Sequence, residues 1–113
     1  MKKTISLNRN KDFKRLYYRG KSAADAALVL YCQKSRDNRI KLGITVSKKL
    51  GNAVKRNRIK RRIREAYRLS EEFVKPGYHL VIVARNKSAR ISFALLQKSL
   101  LDLMKKTGCY LDD

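Results

Sequence analysis

The segment SKKLGNAVKRNRIKRRIREAYR occupies residues 47–68 and decides how the rest of the chain is interpreted. Ten of its side chains are cationic, and Glu65 is its one acid. Apolar side chains nevertheless recur within it at helical spacing, at Ile59, Ile63, Ala66 and Tyr67. A disordered polycation has no need of such a pattern. The segment therefore predicts an amphipathic helix, capped near Asn52 and lasting to about residue 69, that holds positive charge in a fixed geometry.

The two sides of this predicted helix have different chemistry. At about 100° per residue, the four apolar side chains fall in one sector that is wide enough to pack on a sheet. Cationic and polar side chains occupy the rest of the circumference: Lys55, Arg56, Asn57, Arg58, Lys60, Arg61, Arg62, Arg64 and Arg68. Cations near a helix N-terminus oppose the helix dipole, and like charges three and four residues apart repel. Because this arrangement of cations lowers the stability of the helix, it indicates a surface that binds phosphates and not an ordinary solvated face.

The whole chain is strongly basic. Its 113 residues carry a formal net charge of +20, and self-repulsion of this size destabilises a compact fold unless a partner relieves it. Nucleic acid, an anionic membrane surface and an acidic protein are the candidate partners. With 43% hydrophobic residues the chain can still bury one core, so we expect residues 1–113 to form a single domain.

Membrane and secretory locations are not supported. Polar residues follow Lys2 and Lys3 too soon for a signal peptide. The longest apolar run, residues 26–32, is far shorter than the roughly 20 residues of a membrane-spanning helix. Cys32 and Cys109 lack the spacing of a zinc site or a disulfide framework. We therefore expect reduced thiols in a cytoplasmic protein that has no membrane partner.

Two further helices are expected, one on each side of the basic segment. Residues 11–18 have apolar side chains on one face, and Gly20 follows as a stop. Residues 92–107 carry a Leu-rich stripe, with Ser92 as a candidate N-cap and Gly108 just past the end.

Strands are expected between these helices. Residues 26–33 and 40–46 predict a hairpin around the polar turn at 35–38, and the nearly continuous apolar run at 79–84 is typical of a strand covered on both faces. The predicted fold class is α+β: one small domain with a mostly antiparallel sheet of about four strands, packed with three helices. The strand, basic helix and strand in succession form a candidate βαβ unit.

Three aromatic residues form a second candidate binding site, which the sequence supports less strongly than the basic helix. Phe13 and Tyr17 share one face of the first predicted helix, and Tyr31 lies in the first predicted strand. Cations surround them in the sequence: Lys14, Arg15, Arg19 and Lys21. Rings that stack on bases and cations that follow phosphates are typical of single-stranded nucleic acid binding. Spacing alone leaves open that the three rings are simply core residues.

No catalytic set is visible in the sequence. His79 is the one histidine, and its place at the start of an apolar strand favours a structural role. The nine acids are scattered and do not form the carboxylate cluster of a two-metal nuclease. No phosphate-binding glycine loop, zinc set or nucleophile triad is present. We expect that the chain cleaves nothing by itself.

These residues carry a resemblance. Residues 45–65, TVSKKLGNAVKRNRIKRRIRE, resemble the hallmark segment of the bacterial ribonuclease P protein component, with its Arg-Asn-Arg core at 56–58. Similarity extends over nearly the whole chain, at Asp12-Phe13 with Tyr17, at Leu42-Gly43, and at the apolar strand that ends in Ala84-Arg85.

The resemblance implies a function for the whole chain. It would be an RNA-binding domain that joins a large catalytic RNA to remove the 5′ leader of precursor tRNA. The resemblance implies that the RNA subunit carries the catalytic centre and binds most of the Mg²⁺, so that the protein has no catalytic residue and is inactive alone. It also implies no required protein partner, and a βαβ crossover of the unusual left-handed sense.

The resemblance also assigns residues to the two RNA partners. The family's contact with the RNA subunit carries over to Lys55, Arg56, Asn57, Arg58, Lys60, Arg61, Arg62 and Arg64, and Arg68 continues the same face. The lining of the family's leader cleft carries over to Phe13, Tyr17 and Tyr31, with Lys48 and Lys49 as helpers near the active centre. Two alternatives stay open: a small ribosomal-type RNA-binding protein, and a self-sufficient protein ribonuclease.

Overall fold

Five strands and three helices follow one another along the chain, in a computed structural model that describes residues 2–112. The elements in chain order are β1 (Thr4–Ser6), α1 (Asn10–Arg19), β2 (Lys21–Ala24), β3 (Leu28–Lys34), β4 (Ile40–Thr45), α2 (Ala53–Ser70), β5 (Tyr78–Ala84) and α3 (Phe93–Thr107). The three predicted helices are confirmed to within a residue or two of their expected ends.

The strands form one sheet in the order β1-β4-β5-β3-β2. Two of its neighbouring pairs are parallel, β1 with β4 and β4 with β5, and two are antiparallel, β5 with β3 and β3 with β2. The α+β class and the three helices are confirmed. The sheet has five strands where about four were expected, and it is evenly mixed where a mostly antiparallel one was expected.

The predicted hairpin between β3 and β4 is wrong. Strand β5 lies between them, with Ile82 opposite Leu30 on one side and Ile44 on the other. The physical reason lies in β5 itself, where Leu80, Val81 and Ile82 are all fully buried. A strand that is apolar on both faces is most stable at the centre of a sheet, so β3 and β4 flank it.

Sequence reasoning missed the two edge strands, β1 and β2, because both are short and neither shows a strong alternating pattern.

Strand β1 is held from outside the sheet by Glu71, just past the end of α2. The Glu71 carboxylate accepts hydrogen bonds from the backbone N–H groups of Lys2 and Lys3, each at 3.1 Å, and from the Thr4 hydroxyl.

Helix α2 connects the parallel neighbours β4 and β5, which confirms the predicted βαβ unit. Its N-cap is Asn52, whose side chain accepts a hydrogen bond from the Lys55 N–H at 2.9 Å. Ser92 caps α3 in the same way, through the Leu95 N–H at 3.2 Å, and Gly108 ends α3 in the left-handed conformation at φ 86°. The left-handed sense of the crossover stays a prediction.

The two faces of the sheet are covered very differently. Helices α2 and α3 cover one face, where twenty apolar residues are buried in one cluster. Helix α1 lies on the other face, over a cluster with only three buried residues, Leu7, Leu16 and Val81. Both cysteine side chains are buried and unlinked. Of the two sheet faces, the α1 face is therefore the one that leaves sheet side chains accessible to a partner.

Candidate nucleic-acid interface

Helix α2 presents the cationic surface that its sequence predicted. Ile59, Ile63, Ala66 and Tyr67 are at most 2% exposed and pack into the main core. Because these four side chains fix the rotation of the helix, the cations must point away from the sheet. Five of them make no hydrogen bond or ion pair within residues 2–112: Lys55, Arg58, Lys60, Arg61 and Arg64. We call these five side chains the cationic surface.

Two of the predicted RNA contacts on α2, Arg62 and Arg68, make hydrogen bonds to other groups of the protein, and both stay predicted RNA contacts. The Arg62 guanidinium is half-buried and donates to two backbone carbonyl oxygens, those of Ser88 at 2.6 Å and Ile91 at 2.5 Å. It therefore ties α2 to the segment that precedes α3. Arg68 forms an exposed ion pair with Glu65, which lowers the pKa of that carboxyl group through hydrogen bonding and charge. The helical wheel placed both residues on polar positions, but it could not show these partners.

The remaining two members of the predicted set lie at the start of the helix. Arg56 is half-buried, and its Nε atom is buried without a hydrogen-bond partner. Asn57 is exposed. Both stay predicted RNA contacts.

The three predicted aromatic residues come together between α1 and the sheet. The ring centroids of Tyr17 and Tyr31 lie 5.0 Å apart in an edge-to-face arrangement, and those of Phe13 and Tyr17 lie 6.4 Å apart. The Tyr17 hydroxyl lies 3.1 Å from the hydroxyl of Thr45, at the end of β4. Tyr17 is 37% exposed, and Phe13 and Tyr31 are half-buried. The rings are therefore not simply core, and we call this surface the aromatic cleft.

Gly43 forms the floor of the aromatic cleft. In the sequence it was noted only as part of the Leu42-Gly43 similarity to the family. A Cβ atom at this position would lie 2.5 Å from the ring of Phe13. Only glycine allows the ring to lie this close to the strand. A glycine within an alternating strand was the available signal, because it often marks a close approach to the backbone.

Lys48 and Lys49 follow the end of β4, three and four residues after Thr45, whose hydroxyl lies beside that of Tyr17. Both are exposed, in a single 3-10 turn between β4 and α2. The Ser47 side chain accepts a hydrogen bond from the Lys49 N–H at 3.3 Å, which fixes the start of this turn. The turn closes at Gly51, whose φ of 138° strongly favours glycine.

The cationic surface and the aromatic cleft adjoin each other beside β4, on the side where β1 ends. A small cavity of about 170 Å³ lies there, between Phe13 and Gly43 on one side and Lys60 and Arg64 of α2 on the other. One continuous molecule could therefore contact both surfaces.

The described part of the chain, residues 2–112, offers no metal centre and no membrane-spanning helix. No three His, Cys, Asp or Glu side chains come together there as a possible metal site. None of its helices is both long and apolar enough to cross a bilayer. His79 is buried and hydrogen-bonded to its neighbours, in agreement with the structural role expected for it.

Comparison with known proteins identifies the family. The family model for ribonuclease P matches residues 1–108. The ribonuclease P protein component of Clostridium botulinum strain Langeland is 46% identical over 109 residues, which cover 96% of this chain and 98% of that protein. This chain belongs to the ribonuclease P protein family. The component from Clostridioides difficile is 43% identical over 106 residues and covers 93% of both chains.

Solved structures of ribonuclease P proteins have the same fold. The Staphylococcus aureus protein superposes with a TM-score of 0.83 at 34% identity, covering 94% of this chain and 97% of that one. The Thermotoga maritima protein gives 0.80 at 30% identity, covering 89% and 96%. As a ribonuclease P protein, this chain is a subunit of a tRNA-processing ribonucleoprotein endonuclease. The ribosomal alternative is not favoured.

Proposed function

We propose that this ribonuclease P protein binds the catalytic RNA through its cationic surface and the 5′ leader of precursor tRNA through its aromatic cleft. By holding the leader beside the RNA subunit, it would promote magnesium-dependent endonucleolytic cleavage at the 5′ end of tRNA. The observation that carries this proposal is the half-covered sheet face, where the rings of Phe13, Tyr17 and Tyr31 stay accessible next to unpaired cations.

The aromatic cleft suits a single strand better than a duplex. Bases of single-stranded RNA can turn outward and stack on aromatic rings, and each stacked base contributes about 1–3 kcal/mol with little dependence on sequence. Leaders of different precursor tRNAs differ in sequence, so a stacking surface flanked by Lys48 and Lys49 matches what the substrate requires.

The cationic surface suits a structured RNA. Its five side chains are held on a rigid helix, so they would meet phosphates at fixed positions, and counterions released from the RNA would favour binding. Affinity should then fall with salt at a slope of about −0.7 to −0.9 per phosphate contact.

Catalysis and magnesium are assigned to the RNA subunit. Among residues 2–112 the carboxylates do not cluster as the oxygen ligands of a metal pair would, which supports this part of the proposal. The protein would contribute charge neutralisation and positioning, which lower the magnesium concentration that substrate binding requires. We further propose a cytoplasmic location and no required protein partner.

The experiment combines the pure chain with a bacterial ribonuclease P RNA at low magnesium and measures cleavage of precursor tRNA. We expect cleavage well above that of the RNA alone, and none by the protein alone. No enhancement would contradict the proposed function. Cleavage by the protein without RNA would favour a self-sufficient ribonuclease, and co-purification with ribosomal subunits would favour the ribosomal alternative.

A further inference from the structure

Arg15 lies on α1 among the cations that the sequence groups with the aromatic residues. Its side chain is 35% exposed, yet all three guanidinium nitrogen atoms are hydrogen-bonded within the protein. Its Nε donates to Gln33 Oε1 at 3.1 Å, and its Nη1 donates to Asp12 Oδ1 at 2.9 Å. Its Nη2 donates to His79 Nδ1 at 3.0 Å. These three partners belong to β3, α1 and β5, so one guanidinium joins the helix to two strands.

The chain of contacts continues beyond the ring of His79. His79 Nε2 lies 3.2 Å from Asp37 Oδ1, in the loop between β3 and β4, and Lys41 Nζ lies 3.6 Å from the other carboxylate oxygen. Because Nδ1 accepts from Arg15, the neutral ring carries its proton on Nε2 and donates it to Asp37. We call Arg15, Gln33, His79 and Asp37 the α1 clamp.

Helix α1 needs such a clamp because its apolar contact with the sheet is small. Among residues 2–112, the buried apolar cluster between α1 and the sheet has three members: Leu16 of α1 itself, Leu7 and Val81. Hydrogen bonds fix distance and direction more narrowly than a small apolar contact can, and an arginine fork fixes them in a plane. Phe13 and Tyr17 lie on the same helix within a turn of Arg15, so the orientation of α1 sets the width of the aromatic cleft.

We propose that Arg15 is a positioning residue for leader binding, which holds α1 at the angle that keeps Phe13 and Tyr17 facing Tyr31. This inference rests on the proposed function of the aromatic cleft. It separates Arg15 from Lys14 and Arg19 on the same helix. Their side chains are exposed and make no hydrogen bond or ion pair within residues 2–112. Those two can meet a phosphate directly, whereas Arg15 acts through the helix.

The test measures the affinity of the reconstituted holoenzyme for two precursor tRNAs, one with a leader of roughly eight nucleotides and one with a single-nucleotide leader. Arg15→Lys keeps the charge but loses the planar fork. We expect about a five- to tenfold loss of affinity for the long leader only, with RNA assembly unchanged. Arg19→Lys is the matched control, the same substitution at an exposed site of the same helix, and should stay within about twofold of wild type.

Two further variants separate positioning from phosphate contact. Gln33→Met removes one acceptor of the clamp without changing any charge, so it should lower long-leader affinity in the same direction as Arg15→Lys. It also carries the test if Arg15→Lys fails to fold. In the His79→Leu background, Arg15→Lys should cost less than it does alone, because the two residues act as one unit.

A pH profile adds a readout that simple loss of packing would not change. Protonation of His79 removes the acceptor of Arg15 and places a second cation beside Arg15 and near Lys41. The carboxylates that face these cations are Asp37, which contacts His79 and Lys41, and Asp12, which is paired with Arg15. Long-leader preference should therefore decline as the pH falls from 7 to about 5.5. The profile of His79→Leu should be flatter.

The outcomes separate the two proposals. If wild-type holoenzyme shows no preference for the long leader, the proposed function of the aromatic cleft fails and the role of Arg15 fails with it. If wild type prefers the long leader and Arg15→Lys or Gln33→Met keeps that preference in full, only the positioning role is overturned. An equal loss for both substrates would also overturn it.

Discussion

The two faces of the sheet serve different requirements of this protein, stability on one face and ligand binding on the other. Under α2 and α3, twenty apolar residues are buried together, and the side chains of Leu96, Leu100 and Leu103 have no exposure at all. On the α1 face, three apolar residues are buried, and hydrogen bonds from Arg15 also hold the helix in place. The first face provides the free energy of folding, and the second keeps aromatic rings accessible for a ligand.

This difference between the two faces explains how a chain with a net charge of +20 can fold and still keep side chains available to bind RNA. Self-repulsion must be outweighed by burial somewhere, and here burial is concentrated on one face. The aromatic cleft then lies on the face with the smaller buried apolar cluster, where a substitution can remove leader binding without unfolding the protein.

The largest expected effect on stability is on the α2 face. Ile63 is 1% exposed in the main core, so Ile63→Ala should lower the free energy of unfolding by about 2–5 kcal/mol. Tyr17→Ala, on the α1 face, should cost only about 1 kcal/mol, because it loses one edge-to-face ring contact and little burial. Urea denaturation of both variants measures the contrast, and equal losses would contradict the division between faces.

A smaller effect is expected where β1 is anchored. Hydrogen bonds from Thr4 and from the backbone of Lys2 and Lys3 lower the pKa of the Glu71 carboxyl group, although burial alone would raise it. Glu71→Gln should therefore cost about 1–3 kcal/mol, since the amide accepts these hydrogen bonds less well. Glu72→Gln, next to it and exposed, is the control and should be close to neutral. Equal stability of the two variants would show that β1 is held by other contacts.

On the cationic surface the expected change is in salt dependence and not in stability. Arg61→Ala should reduce the salt slope of binding to the RNA subunit by about 0.7–0.9, the value of one phosphate contact. Arg68→Ala, whose side chain is already paired with Glu65, should change the slope less. Titration of RNA binding at several salt concentrations compares the two, and an equal change would show that the ion pair opens when RNA binds.

The smallest expected effect is a pH dependence from the α1 face. Burial lowers the pKa of His79, and the charges of Arg15 and Lys41 lower it further, against the opposing effect of Asp37. Because the folded pKa lies below the unfolded value of about 6.5, the unfolded state takes up the proton first, and stability falls as the pH decreases below 6.5. Thermal unfolding between pH 7 and 5.5 should show this decline in wild type and a weaker one in His79→Leu.

The sequence predicted the parts of the molecule that depend on local pattern. The buried row of α2, its Asn52 cap and the Ser92 cap of α3 all follow from spacing and side-chain chemistry, and the structure confirms them. The three aromatic residues grouped from the sequence also lie together in one cleft, and their binding to the leader stays a prediction.

What the sequence could not predict depends on contacts between distant residues. Strand β5 displaces the expected hairpin because its two apolar faces need cover, and that competition is not visible from β3 and β4 alone. Likewise, the pairing of Arg62 with the carbonyl groups of Ser88 and Ile91 needs the fold to bring them together. On a helical wheel, an arginine that binds a partner and one that ties two elements together look the same.

The division of binding between the cationic surface and the aromatic cleft is tested most directly by comparing Tyr17→Ala with Arg61→Ala in one holoenzyme assay. The measurement is the ratio of affinities for the long and the single-nucleotide leader, together with the affinity of the protein for the RNA subunit. Tyr17→Ala should lower the ratio about tenfold and leave assembly intact, whereas Arg61→Ala should weaken assembly and keep the ratio. The same pattern of losses in both variants would contradict the division of the surface.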